Sequence, residues 1–224
     1  MFSTAVRLVI EKPLGVLGGT FDPVHNAHLR LAEEAMRQLR LGEVLWIPAG
    51  QPRHRAPPVA GREDRLAMVR LAVAPHAEYR IDDTEIRADE PSYTAPTLER
   101  LRRAYGKRPL VLLMGADAFL GLASWHRWRE LFGLAHIGVV SRPTFALGPD
   151  AMPAELADEF RRRHKTQFTA LATAPAGAVV PFAMEAGTVS STEVRTKLRQ
   201  GGAVDELLPA PVLDYIRHHR LYSS

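Results

Sequence analysis

The stretch Leu14-Gly15-Val16-Leu17-Gly18-Gly19-Thr20-Phe21-Asp22-Pro23-Val24-His25-Asn26-Ala27-His28 constrains this chain more than any other. It opens on a short apolar run, the pattern of a strand covered on both faces. Two glycines and a proline-containing turn interrupt the run. Leu29, Leu31, Ala32, Ala35, Met36 and Leu39 then recur at helical spacing. The reading is strand, tight glycine loop, helix. Such a turn aims backbone N–H groups and the positive end of a helix dipole at one place, which suits a phosphate. His25 and His28, three residues apart where the helix begins, can face the same anion.

The loop lacks the Gly and Lys-Ser/Thr spacing of a Walker A loop and the glycine spacing of a dinucleotide fingerprint. Glycines after a strand also serve as plain turn residues, and a histidine pair as polar surface. A zinc pair would need further ligands. The chain has no cysteine, no third ligand clusters beside the histidines, and no metal site is expected.

Residues 1–13 read as an extension ahead of the first core strand, and residues 14–224 as one domain. Glu43–Ile47 reads as a second strand, running into the proline-rich loop Pro48–Pro58 with its Arg53, His54 and Arg55. Arg62–Val73 is a helical pattern ended by Pro75, and Tyr79–Ile81 a short strand. Pro91-Ser92-Tyr93-Thr94 leads into a helix through Leu98, Leu101 and Ala104. Leu110–Gly115 is a buried strand followed at once by Asp117, and Leu134–Val140 another, ending in Ser141-Arg142-Pro143. A polar helix over Pro153–His164, a last strand over Val179–Phe182 and helices near Ser191–Arg199 and Pro211–His219 complete the chain. Strands alternating with helices, with no repeat or low-complexity linker, predict a doubly wound parallel α/β sheet of Rossmann-like type with a small C-terminal helical part. The loops after the strands should then share one edge of the sheet, where open α/β sheets bind ligands.

Three further constellations bear on chemistry. Ser190 and Glu193 have the spacing of a capping box, which helix stability alone explains. Arg195 is different, because a cation near a helix N-terminus opposes the dipole unless an anion is close. Two anion-directed helix starts fit a polyphosphate better than a single phosphate. Asp117, at a strand end, can accept from a ribose hydroxyl or cap a helix. Trp125 and Trp128 are by composition alone core residues.

Residues 18–28 resemble the GGTFDPVHxGH signature of the nicotinate mononucleotide adenylyltransferases, within the nucleotidylyltransferase superfamily. Ten of the eleven places hold, the exception being Ala27 for Gly. Val189-Ser190-Ser191-Thr192-Glu193-Val194-Arg195 is similar to the family's ISSTxxR run. PSYT at residues 91–94 matches, Ser124-Trp125 matches an S/TW pair, and Gln51–Arg55 is similar to PPHK. Arg142-Pro143 matches the RPG turn with Thr144 in the glycine place. Leu207-Leu208-Pro209 and Tyr215–Tyr222 are similar to the closing helix, so the resemblance runs from Leu14 to Tyr222.

The resemblance implies transfer of AMP from ATP to nicotinate mononucleotide, giving nicotinate adenine dinucleotide and pyrophosphate in NAD biosynthesis. It implies that ATP meets Gly18, Gly19, Thr20, Phe21, His25, His28, Gly115, Asp117, Ser191, Thr192 and Arg195. His25, His28 and Arg195 would carry the catalysis. Nicotinate mononucleotide would meet His54, Arg55, Tyr93, Thr94, Trp125 and Arg142. Mg²⁺ would accompany ATP, and the methyl of Ala27 would lie where adenosine approaches.

Net charge of +4 and a pI of about 9.7 favour anionic partners. No basic stripe interleaved with aromatics points to nucleic acid, and no apolar run reaches membrane-span length. Absence of cysteine is compatible with a cytoplasmic protein. Self-association into a homo-oligomer is left open. Rival readings are an adenylyltransferase for nicotinamide mononucleotide or another phosphorylated acceptor, and a non-catalytic basic nucleotide-binding module. A class I aminoacyl-tRNA synthetase shares an HxGH loop but needs an anticodon-binding domain.

Overall fold

A computed structural model of the chain describes residues 11–52, 57–141, 147–184 and 189–223. The apolar run at Leu14–Gly19 is strand β1, followed by helix α1 at Asn26–Gln38 and β2 at Glu43–Pro48. Helix α2 spans Arg62–Val73, β3 Tyr79–Ile81, the short α3 Thr84–Arg87 and α4 Thr94–Tyr105. Then come β4 at Leu110–Gly115, the short helices α5 at Ala116–Leu120 and α6 at Leu131–Leu134, and β5 at His136–Ser141. The chain ends with α7 at Ala154–Arg163, β6 at Val179–Ala183, α8 at Ser191–Arg199 and α9 at Ala210–His218.

Among the described residues the sheet has six strands, all parallel, in the order β3-β2-β1-β4-β5-β6. Side chains alternate across the sheet, so neighbours in sequence enter different cores. Leu17, Trp46, Val111 and Leu113 pack on one face with Ala32 and Ala35 of α1, Met68 and Val69 of α2, Val194 of α8 and Val212 and Ile216 of α9. Val16, Leu45, Ile47, Leu112 and Met114 pack on the other with Leu98 and Leu101 of α4, Phe119 of α5 and Leu156 and Phe160 of α7. Both faces are covered, which is why the strands read as unbroken apolar runs.

Gly15 is required by this packing, since a Cβ there would stand 2.8 Å from Leu41 Cδ1 and 3.2 Å from Leu113 Cδ1. The strand order reverses between β1 and β4, whose residues Leu14 and Val16 pair with Leu110 and Leu112. That reversal opens a crevice at the carboxyl ends of these two strands. Gly18–Gly19 and Gly115–Asp117 both lie there, as the expectation of one shared edge requires.

Several boundaries differ from the sequence reading. Strand β5 starts at His136 rather than Leu134, because Leu134 closes the short helix α6, and it runs on to Ser141, while β2 and β6 each run one residue past Ile47 and Phe182. Helix α7 starts and stops one residue inside Pro153–His164, and α9 is displaced one residue toward the N-terminus. Tyr222 lies beyond α9 rather than in it, in left-handed backbone with φ +63°.

Candidate active site

The glycines at the sheet edge fall into two kinds. A Cβ on Gly19 would lie 2.9 Å from the Phe21 ring, so packing within the loop requires Gly19. Phe21 itself adopts a left-handed φ of +50°, and its buried ring packs against Trp46 at 5.4 Å and His28 at 5.0 Å. Its side chain is therefore closed to a nucleotide and can contribute only through its backbone, which narrows the role expected of it. Gly18 and Gly115 differ. Among the described residues, a Cβ on Gly18 would meet only Ile47 O at 4.0 Å, and one on Gly115 nothing within 4 Å. No neighbour among the described residues demands these two glycines, which lie at the ends of the two central strands, Gly115 last in β4 and Gly18 last but one in β1. They leave a bare floor on which a ligand can approach the backbone.

His25 caps α1 and is 4 % exposed. Burial pushes its imidazole down to about 4, so it is neutral at physiological pH. Its Nδ1 is buried with no hydrogen-bond partner among the described residues. The His28 ring stacks on it at 3.7 Å. His28 Nδ1 accepts the backbone N–H of His25 at 3.2 Å, which assigns the proton of the neutral ring to Nε2. The pair therefore adds stacked imidazole rings, that of His25 neutral, to the N–H groups at the helix start.

The second motif docks directly on the first. Arg195 Nη1 donates to the backbone carbonyl of Asp22 at 2.6 Å and lies 3.6 Å from its Oδ2. Nη2 donates to Thr192 Oγ1 at 3.3 Å. Ser191 donates its hydroxyl to the Pro23 carbonyl at 3.1 Å. That hydroxyl proton is used within the protein, so Ser191 fastens α8 to the loop. Ser190 caps α8 by accepting the N–H of Glu193 at 3.1 Å. Glycine loop, histidine pair and Arg195 thus form one assembly, at the crevice the sheet provides.

Asp117 sits in the first turn of α5, exposed, at a helix whose cap position is Gly115 and which has no side-chain cap. The capping explanation of this carboxylate falls away. Thr20 is half-buried, and its carbonyl accepts Arg65 Nη1 at 2.7 Å. Arg65 was not visible as a site residue in the sequence. It is 1 % exposed and also donates to the carbonyls of Ala49 at 2.6 Å and Gly50 at 3.0 Å. It joins the loops that follow β1 and β2.

Against the loop that follows β2, Tyr93 caps α4 and its ring lies 4.7 Å from that of His126. Thr94 begins the helix. The two indoles separate as to role: Trp128 is buried in the core, whereas Trp125 is only partly buried. The PSYT turn and the Ser124-Trp125 loop are thereby brought together. Ser92 Oγ accepts the N–H groups of Gly50 at 2.9 Å and Gln51 at 3.3 Å. Beneath it, Glu85 accepts the Thr97 hydroxyl at 2.6 Å and bonds to the Ser92 side chain, and burial pushes its carboxyl up. Glu85 carried no local signal in the sequence. His54, Arg55 and Arg142 lie outside the described residues. Among the described residues, no group of three His, Cys, Asp or Glu side chains could hold a metal ion, and no helix is long and apolar enough to cross a membrane.

A family model described as cytidylyltransferase-like matches residues 16–197, from β1 to α8. A curated relative from Dechloromonas aromatica, named "Probable nicotinate-nucleotide adenylyltransferase", is 52 % identical over 96 % of this chain and 100 % of its own length. The chain belongs to the nicotinate-nucleotide adenylyltransferase family. A relative of the same name from Laribacter hongkongensis is 44 % identical over 94 % of each chain. The solved nicotinic acid mononucleotide adenylyltransferase of Plasmodium falciparum, in complex with NaAD, superposes with a TM-score of 0.72. It covers 95 % of this chain and 98 % of its own at 15 % identity, a likeness of fold. The family is one of nucleotidyltransferases, and membership agrees with the motifs at both helix starts.

Proposed function

We propose that this enzyme transfers AMP from ATP to nicotinate mononucleotide, releasing pyrophosphate and forming nicotinate adenine dinucleotide. The observation that carries this reading is the docking of Arg195 on Asp22, which fastens a cation of the second helix start to the glycine loop that leads into the histidine pair. One polyphosphate can then span both helix starts. In this reading ATP lies over Gly18 and Gly19, with its ribose near Asp117 and its β- and γ-phosphates toward Arg195 and Thr192.

The nucleophile is an oxygen of the mononucleotide's own phosphate. With a second pKa of about 6 it is already largely ionised at neutral pH, so no general base is required. It attacks the α-phosphorus, the new O–P bond forms, and the bond to the β-phosphate oxygen breaks with its electron pair leaving on pyrophosphate. The protein must align two anions and stabilise charge on the α-phosphate and leaving group. His25 and His28, together with the loop N–H groups, suit the α-phosphate. Arg195 suits the leaving end. Mg²⁺ would accompany ATP, held by the phosphates themselves, and would screen the charge that His25, His28 and Arg195 meet.

The half-buried turn at Tyr93 and Thr94, facing the His126 and Trp125 loop, supports a flat pyridine ring with a carboxylate held by helix-start N–H groups. Pyrophosphate release measured side by side with nicotinate, nicotinamide and pantetheine phosphates tests the whole reading. The expected order has nicotinate mononucleotide first. Equal or greater kcat/KM with nicotinamide mononucleotide overturns the acid preference, and no activity with either pyridine nucleotide overturns the reaction.

A further inference from the structure

Asp22 is a buried carboxylate in the glycine loop, 4 % exposed, and its surroundings come from three separated parts of the chain. Its Oδ2 accepts the N–H of Val59 at 2.8 Å. Its Oδ1 accepts the N–H of Ala60 at 3.0 Å and the hydroxyl of Tyr222 at 2.7 Å. Arg195 lies beside it, 3.6 Å from Oδ2, yet gives its short 2.6 Å bond to the Asp22 backbone carbonyl instead. A bare buried carboxylate and a neighbouring guanidinium pair in a bidentate fork at 2.7–2.9 Å. Here they do not. Three neutral donors already occupy the carboxylate, and the fork does not form.

Tyr222 is held for this task. It is 7 % exposed, in left-handed backbone at φ +63° that a tyrosine rarely adopts. Burial and the adjacent Asp22 push its phenol up, so it stays a protonated donor. The bond satisfies the buried hydroxyl of Tyr222, and it adds a third donor to a carboxylate to which backbone amides already supply two bonds. It makes sense if the oxygen must be kept from Arg195.

We propose that Tyr222 is a positioning residue: by saturating the Asp22 carboxylate, it stops Arg195 from collapsing into a closed ion pair and leaves the guanidinium available to a polyphosphate. The proposal rests on the reading that Arg195 meets ATP. Without the Tyr222 hydroxyl, a lone pair on Oδ1 is freed in a low-dielectric pocket, and Arg195 swings fully onto the carboxylate. ATP must then break that pair to bind.

The test is calorimetric titration of a non-hydrolysable ATP analogue into wild type, Tyr222→Phe, Arg195→Ala and the double variant. Tyr222→Phe should raise the Kd about tenfold, the size of one oriented charge-assisted bond lost. It should have no further effect in the Arg195→Ala background, because its influence passes through Arg195. Replacing Tyr222 by 4-aminophenylalanine, which restores a donor at the same place, should recover the wild-type Kd; this variant also serves if Tyr222→Phe melts too low for titration. A merely structural tyrosine lowers the melting temperature alike in both backgrounds and leaves the Kd unchanged. A wild-type Kd for folded Tyr222→Phe, equal penalties in the presence and absence of Arg195, or no recovery with the amine overturns the proposal. Failure of wild type itself to bind the analogue overturns the adenylyltransferase reading and this inference with it, and so is distinguishable from loss confined to the variants.

Discussion

The backbone N–H of His25 donates to Nδ1 of His28 at 3.2 Å, while the His28 N–H returns a bond of 2.9 Å to the His25 carbonyl. The exchange fixes the orientation of the His28 ring before any ligand arrives. A ring fixed in this way acts best on charge that develops during reaction. His28→Ala should therefore lower kcat by about a hundredfold or more with the KM for ATP little changed, the signature of an interaction made mainly in the transition state. Arg195→Ala should raise the KM for ATP as well, since it meets charge already present. Steady-state kinetics on variants checked by thermal melting decide it. If His28→Ala raises KM with kcat intact, the residue is a ground-state binder.

His25 gives a pH dependence with a definite sign. Its folded pKa, about 4, lies below the ordinary 6.5. The unfolded chain therefore binds the proton more readily, and stability attached to His25 is complete above pH 6.5 and lost as pH falls toward 4. The loss is on the order of 3 kcal/mol across that window. Melting temperatures of wild type and His25→Asn, followed from pH 7.5 to pH 4.5, should converge as the wild type loses this contribution. Parallel curves would show that His25 stays accessible to protons.

Ala27 stands half-buried in the first turn of α1, at the one place where the glycine-loop signature departs from its usual residue. Ala27→Gly should keep or improve affinity for ATP by removing a methyl at the approach, while costing about 0.5–1 kcal/mol through helix propensity. Calorimetry and melting separate the two effects. A large rise in Kd would mean that the loop is shaped around the methyl.

Glu85 makes the pyridine end separable from the ATP end. It is the acceptor for the Thr97 hydroxyl at 2.6 Å, beneath the turn that carries Ser92, Tyr93 and Thr94. Glu85→Ala strands hydroxyls in a buried place, at about 1–3 kcal/mol of stability. It should raise the KM for nicotinate mononucleotide at least severalfold and leave the Kd for ATP alone. Parallel losses for both substrates would place its influence on the fold as a whole.

The central strands were legible because each is sealed on two faces, and Leu110–Gly115 or Glu43–Ile47 therefore show apolar runs with no other use. Helices α3, α5 and α6 were not legible, since four or five residues cannot display a 3.6-residue period. The site was visible as residues and hidden as relationships. His25, His28 and Arg195 stand out from residue type and spacing, yet nothing local announces that Arg195 seats on the carbonyl of Asp22, or that the hydroxyl of Tyr222 closes on its carboxylate. Gly15 and Gly18 look alike in the sequence. Only three-dimensional contact separates the one demanded by Leu41 from the one that no described neighbour crowds.

Arg65 gathers the carbonyl oxygens of Thr20, Ala49 and Gly50, all just past the ends of β1 and β2. Left bare, those oxygens would form a rim of partial negative charge under the place proposed for a triphosphate. Repulsion of that kind is strong where water is excluded. Arg65 works as a built-in counterion, screening the rim from behind while remaining too deeply buried to touch a substrate. Under the proposed reading, a cation that never meets the nucleotide would make the floor beneath it more receptive to an anion.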